Sequence, residues 1–276
     1  MVLESLINPF KAEKKPWEMV FIGFLYASVA AFLSLWIFRQ YSSLVMVFLT
    51  VIASVPLIFA TLKVEEKKDL FIKGEGKLLK EHSKALTFFM LYFLGITIAF
   101  TLWSVLTPQN IAESLFKVQI QTILDINNKV TGNVQGFTQL QIFTEIFFNN
   151  MQVLIFCIIF AFLYGAGAIF ILTWNASVIG AAIGIFIRTK LAETSGYFGI
   201  AYYGVLKYIV HGTPEILAYF IAGLAGGIIS VAVINHDFRK STFEKVLLDS
   251  SDLIIISIGF LLLAALLEVY VTPILF

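Results

Sequence analysis

The chain has 276 residues, of which 59% are apolar and only 13% charged, against roughly 25% charged in an ordinary soluble domain. So large an apolar excess cannot be hidden in a soluble core. It points to an all-α polytopic transmembrane bundle of six or seven spans at about 20 residues each, some short or broken. A net charge of +1 leaves no basic field for nucleic acid. The single cysteine, Cys157, excludes an intrachain disulfide framework and reads as a small buried hydrophobe.

In chain order, Met1 to Glu18 is a charged interfacial lead-in with Lys11, Lys14 and Lys15. No cleavage signal is visible, so the first span is expected to be an uncleaved anchor. Met19 to Phe38 crosses, Arg39 to Ser43 is a tight hairpin, and Leu44 to Leu62 returns with Pro56 expected to kink it. Residues 63–84 carry Lys63, Lys67, Lys68, Lys73, Lys77, Lys80 and Lys84 among interleaved acids. They read as a solvated cytoplasmic loop, His82 included, that places the amino terminus on the same side. Ala85 to Leu106 crosses outward. The outer segment, 107–150, has only Lys117 and Lys129 as bases. Within it Ala112, Leu115, Phe116, Ile123, Ile126 and Val130 share a helical face and Glu113, Lys117, Gln121 and Asp125 fall elsewhere, although Ile120 and Leu124 break the pattern. That is an amphipathic helix lying on the membrane or capping the bundle. Thr131-Gly132-Asn133 should end it, and another apolar helix should start near Gln139.

Met151 to Leu172 reads as the next span, followed by a short connection at Thr173 to Asn175. Ala176 to Ile187 is marginal for a crossing and reads as a short tilted span or a re-entrant half-helix. After a loop from Arg188 to Tyr203, Gly204 to Val210 and Pro214 to Ile234 should be separated by a break near Gly212-Thr213-Pro214. His236 to Asp252 is a second inner loop, and Leu253 to Phe276 the last span. Seven crossings place the carboxyl terminus outside. Six would put Arg239 and Lys240 outside, against the positive-inside rule. Residues 1–276 thus form one transmembrane domain of the cell membrane.

Polar groups inside the spans are the candidate functional residues, since hydrocarbon cannot satisfy them. His211 and Glu215 are four apart on one helical face. Glu268 in the last span and Asn149 and Asn150 at the mouth of the fourth lie at a similar depth, which implies a shared polar network, either structural or proton-linked. Asn175 reads as a helix cap. Gly180 with Gly184, and Gly223 with Gly227, form small-residue pairs that let helices approach closely, by default within the chain. Metal, cofactor and soluble catalytic sites are not expected: there is no His-Glu-x-x-His, Cys-x-x-Cys, Gly-x-Ser-x-Gly or phosphate-cradling loop.

One ordered set of residues carries a resemblance: Phe148-Asn149-Asn150 with Val153, then Gly165, Asn175, Gly180 and Gly184, then His211-Gly212-x-x-Glu215-Ile216-x-Ala218, then Ile221-Ala222-Gly223-x-Ala225-Gly226. Over residues 147–227 it resembles the stage II sporulation protein M family. A proline that many members carry before the His-Gly is Val210 here, while Pro214 precedes the glutamate. The resemblance implies a multi-pass membrane protein and singles out Asn150, Asn175, His211 and Glu215. The member for which the family is named acts in an assembly that remodels cell wall with peptidoglycan-degrading partners. Two functions are therefore weighed. One is a non-enzymatic scaffold that engages membrane lipid, membrane or outer-surface proteins through residues 107–150, or a second copy as a homodimer. The other is a transporter or channel with a proton- or ion-linked site at His211, Glu215 and Glu268.

Overall fold

The computed structural model describes residues 15–72, 74–133, 138–193, 197–235 and 241–275, with the side chains of 126–133, 190–193, 197–209, 211 and 241–242 outside the description. In chain order the helices are α1 (Glu18–Ile37), α2 (Ser42–Phe71), α3 (Glu75–Leu106), α4 (Gln109–Leu115), α5 (Lys117–Asn133), α6 (Gln139–Tyr164), α7 (Ala168–Glu193), α8 (Tyr197–Asn235) and α9 (Ser241–Leu266). A π-helical turn, Leu267–Val271, and a last turn, Thr272–Leu275, follow. Seven of these helices, α1, α2, α3, α6, α7, α8 and α9, are long and apolar enough to cross a membrane. The protein is an all-α polytopic bundle, as its hydropathy implies. Helices are what apolar chains form in lipid, because each segment then satisfies its own backbone.

The bundle is built around α8, whose spanning window is 83% buried, against 22% for α6. Helix α8 packs on α9, α6, α7 and α2, while α3 joins α1 to α7. Because lipid is as apolar as leucine, these contacts rest on close packing and hydrogen bonds. An added Cβ on Gly23 of α1 would lie 2.2 Å from the Tyr92 carbonyl oxygen, and one on Gly95 of α3 would lie 2.0 Å from that of Val20. Gly180 and Gly184 do the same for α7, with added Cβ atoms 2.8 Å from Phe100 Cβ and 2.2 Å from Ser104 Oγ. Gly223 and Gly227 of α8 meet Ala168 and Leu62. All four glycines named from the sequence therefore pack within the chain.

Several expected boundaries move. Residues 63–84 are not a loop: α2 runs on to Phe71 and α3 starts at Glu75, with Gly74 at φ 100 in the turn between. At 30 and 32 residues these helices exceed the roughly 20 needed to span, so their joined ends project beyond the hydrocarbon. Thr131-Gly132-Asn133 is still helical in α5. The break expected at Thr173 to Asn175 lies at Gly165, whose φ of 65 suits only a residue without a Cβ. Helix α7 then runs unbroken for 26 residues, so Ala176 to Ile187 is neither a separate short helix nor re-entrant. Asn175 does not cap a helix. Its Nδ2 donates to the Ile171 carbonyl one turn back, at 3.0 Å, and so the amide sits inside a helix without breaking it. Nor does the chain break at Gly212-Thr213-Pro214, because α8 passes straight through Pro214. Proline removes one helical bond, but buried neighbours hold the residues beyond it, from Ile216 to Ile228. The inner-loop residues His236, Arg239 and Lys240 lie outside the described residues.

The amphipathic segment caps one end of the bundle. Ala112, Leu115 and Phe116 are buried, Phe116 against Phe100 with ring centroids 6.2 Å apart. Gln119, also fully buried, donates to the Ser43 carbonyl at 3.0 Å and to Ser177 Oγ at 3.1 Å. Glu113, Lys117, Gln121 and Asp125 face outward.

If glycine contacts set the helix spacing, position alone decides what a methyl group does. Gly95→Ala should destabilise the protein by about 1–3 kcal/mol. Gly259→Ala, where nothing lies within 4 Å, should be neutral or stabilising by up to about 1 kcal/mol. Thermal unfolding of both variants in one detergent checks the contrast; equal effects would contradict it.

Candidate functional site

Two polar centres stand out, one within the bundle and one at its lysine-rich end. In the first, Glu215 lies on α8 one turn before Tyr219, whose hydroxyl donates to Glu215 Oε1 at 2.9 Å. Glu268 comes from a separate segment. It sits in the π-helical turn Leu267–Val271, steadied by Thr272 Oγ1 donating to the Leu267 carbonyl at 3.0 Å. Such turns recur at functional positions. This one packs on both α6 and α8, and it brings Glu268 within electrostatic reach of Glu215 and Tyr219. The buried thiol of Cys157 on α6 lies within reach of Tyr219 as well. Two carboxyls and a phenol can share a proton or face a cation.

The other residues named from the sequence fall in different places. Asn150 is buried and accepts from Asn149 Nδ2 at 3.4 Å, while Asn149 itself faces outward. Asn175 is engaged with its own helix. His211 belongs to α8, but its side chain lies outside the description. The structure thus leaves Glu268 within electrostatic reach of Glu215 and pairs Asn149 with Asn150.

The second centre concerns His82, which is buried at 2% exposure rather than solvated. Its Nδ1 faces Glu65 Oε2 at 2.8 Å and its Nε2 faces Asp69 Oδ1 at 2.8 Å. Both acids stand on α2 and are themselves 0% and 1% exposed. Carboxylates only accept hydrogen bonds, so a ring serving two of them is the doubly protonated imidazolium. Lys68 closes the other oxygen of Glu65 at 2.7 Å. Lys245 of α9 donates to the backbone carbonyls of Asp69 and of Ile72. Three helix ends are therefore tied together. The signal in the sequence was the four-residue spacing of Glu65 and Asp69, which puts both on one helical face; it becomes visible only once residues 63–84 are known to be a helical hairpin.

At the opposite end Arg188 Nε donates to the Ser104 carbonyl at 2.6 Å, and its guanidinium also reaches the Thr107 carbonyl. One cation thus satisfies carbonyl groups that the end of α3 would leave bare. Among the described residues no group of three or more His, Cys, Asp or Glu is arranged to hold a metal ion.

A family model described as stage II sporulation protein M matches residues 85–273, more than half of the chain. Comparison with curated proteins and with solved structures finds no match.

Breaking a buried ion cluster by removing one partner strands the remaining charges, at about 3–5 kcal/mol. His82→Ala should therefore lower stability in detergent by that order. Replacing Glu65, Asp69 and His82 together by leucine should restore most of the loss. Chemical or thermal denaturation of the two variants checks this, and a His82→Ala protein as stable as wild type would contradict the clasp.

Proposed function

The chain belongs to the stage II sporulation protein M family, and from that premise we propose that it is a non-enzymatic membrane scaffold, anchoring other components through the segment α4–α5 that caps the bundle. The observation that carries this reading is the closed middle of the bundle. Phe220 of α8 stacks on Phe89 at 5.7 Å and meets Phe93 edge-on at 5.9 Å, joining α8 to α3. Tyr92 fills the next layer, edge-on to Tyr26 at 6.3 Å, and shares a 2.5 Å hydrogen bond with Ser54. The cavity beside these rings, lined by Ile58, Leu62, Phe89, Gly165, Phe220 and Gly223 among others, holds about 20 Å3. That is room for about one water molecule, and its lining is apolar. A rigid, tightly packed body suits holding partners in place. The partners would be membrane or outer-surface proteins, or a second copy of the chain, met by the outward-facing Glu113, Lys117, Gln121 and Asp125 of α4 and α5.

A second reading, proton- or ion-linked transport, is favoured by one specific observation: the Glu215 and Glu268 carboxyls from separate segments share one neighbourhood. The two readings part on flux. In liposomes carrying a pH-sensitive dye, the reconstituted protein is expected to leak no faster than empty vesicles. Flux that Glu215→Gln abolishes would establish transport instead.

Orientation is part of the same proposal, since a lysine-rich end on the cytoplasmic side places α4–α5 outside. In a Cys157→Ala background, single cysteines at Lys77 and Lys117 should be labelled from opposite faces of the membrane. Labelling of both from one face would contradict it.

A further inference from the structure

Helix α6 is the least buried of the seven spans, and its outer face is not uniformly apolar. The inward face is set by Asn150, Leu154, Cys157 and Ala161, all buried against the bundle. Nearly opposite runs a stripe of Glu145, Asn149, Gln152, Phe156, Ile159 and Leu163, every one of them exposed. The spacing alternates four and three residues, which is the period of about 3.5 that keeps a seam between two helices lying side by side. Depth follows from the neighbouring helices. Counting about 20 residues back from Thr107, where Arg188 closes α3, reaches Phe88 at the far edge of the hydrocarbon. Phe89 and Gly165 line one small cavity, so α6 ends at that same level. About 20 residues back along α6 is Glu145, which therefore meets the opposite surface, where water hydrates its charge. Asn149 and Gln152 then sit about 6 and 10 Å inside the membrane.

Amides at that depth on an outward face need partners that lipid tails cannot give. Asn149 spends one N–H on a long bond to Asn150, at 3.4 Å, and Gln152 hydrogen-bonds to no described residue. Other spans show what lipid contact ordinarily requires. The exposed Leu44, Phe48, Ile52 and Val55 of α2 and Leu94 and Ile98 of α3 are all apolar. Asparagine and glutamine in membrane helices typically bond across to another helix, and no helix of this chain covers this face. An amide carries both donor and acceptor, so an identical amide facing it answers both. A second copy inserted the same way up supplies that match by symmetry. About a two-fold axis along the membrane normal, its α6 lies parallel, with Gln152 opposite Gln152 and Asn149 opposite Asn149 at equal depths. A different protein would need amides at both depths by coincidence.

We propose that the outer face of α6 is a dimer interface within the membrane, where the Asn149 and Gln152 amides bond to those of a second copy. Phe156, Ile159 and Leu163 pack below them along the same seam. The amides set register and the apolar residues supply close contact. This interface is separate from α4–α5, so anchoring through those helices and dimerisation through α6 can each fail without the other.

The test uses the full chain with Cys157→Ala, reconstituted in phosphatidylcholine liposomes. With copper phenanthroline, an oxidant that reaches thiols in hydrocarbon, Phe156→Cys and Ile159→Cys should each give a disulfide-linked dimer. Ile52→Cys on α2, 52% exposed against 56% for Phe156, should not. Energy transfer between copies labelled at Lys77→Cys should rise as the ratio of protein to lipid rises. Asn149→Leu combined with Gln152→Leu should need about tenfold more protein per lipid for half-maximal transfer, the loss expected for interhelical amide bonds. The same double variant should melt no lower than its parent as a monomer in excess detergent, because both side chains face outward. Transfer no greater than chance encounter at every ratio would overturn the second copy as the occupant. Crosslinking as strong at Ile52 as at Phe156, or a double variant that associates like its parent, would overturn α6 as the interface. A lower melting temperature would give the amides a role within the chain and overturn it equally.

Discussion

Hydrocarbon offers no hydrogen bonds, so the polar groups that this chain carries into the membrane are costly unless the protein itself supplies partners. That constraint accounts for most of what is distinctive here. Hydroxyls within the spans settle on the carbonyl one turn back, as Thr50 does on Met46 at 2.7 Å and Thr97 on Phe93 at 3.0 Å. The bare carbonyls at the end of α3 are met by Arg188 from elsewhere in the chain, and the buried Gln119 amide is met by the Ser43 carbonyl and Ser177 Oγ. Charges gather where several helices can serve them at once, as around His82. The same rule allows Asn175 to sit inside α7, since a side chain that bonds its own helix leaves nothing unmet.

Packing then divides the molecule by depth. Glycines draw α1 onto α3 and α7 onto α3 until backbone nearly touches backbone or side chain. Aromatic rings fill the level between Tyr92 and Phe220. Little room is left there for anything to pass, and the chemistry is displaced toward the ends. The π-helical turn Leu267–Val271 alters helical geometry in the last span at Glu268. For a scaffold the contacts of the π-helical turn with α6 and α8 hold the last segment in place. For a transporter the carboxyls of Glu215 and Glu268 would be the site itself, and the closed aromatic layer beside them is why the first role is preferred.

A polytopic bundle of six or seven spans was legible from hydropathy, because a run of some twenty apolar residues has no other stable form in lipid. Two carboxyls in separate spans were legible as groups in need of partners, and in the structure Glu268 lies within electrostatic reach of Glu215. Boundaries were not legible, and for identifiable reasons. Thr173 and Asn175 look like a turn by composition, yet the amide folds back on its helix. Gly165, which does turn the chain, looks like one more packing glycine. Pro214 reads as a break only while the packing around α8 is unknown. His82 was hidden because its partners lie 17 and 13 residues away across a hairpin, and the composition of residues 63–84 suits a solvated loop equally well.

The central claim is that the interior beside Glu215 is closed to water, and the native thiol of Cys157 can report on it directly. This lone cysteine is fully buried on α6 within reach of Tyr219. Treatment of intact membranes with a small water-soluble maleimide, from either face, should leave Cys157 unmodified, whereas modification should be complete after denaturation. Rapid labelling of Cys157 in the native protein would show a wet route into the bundle and contradict the account.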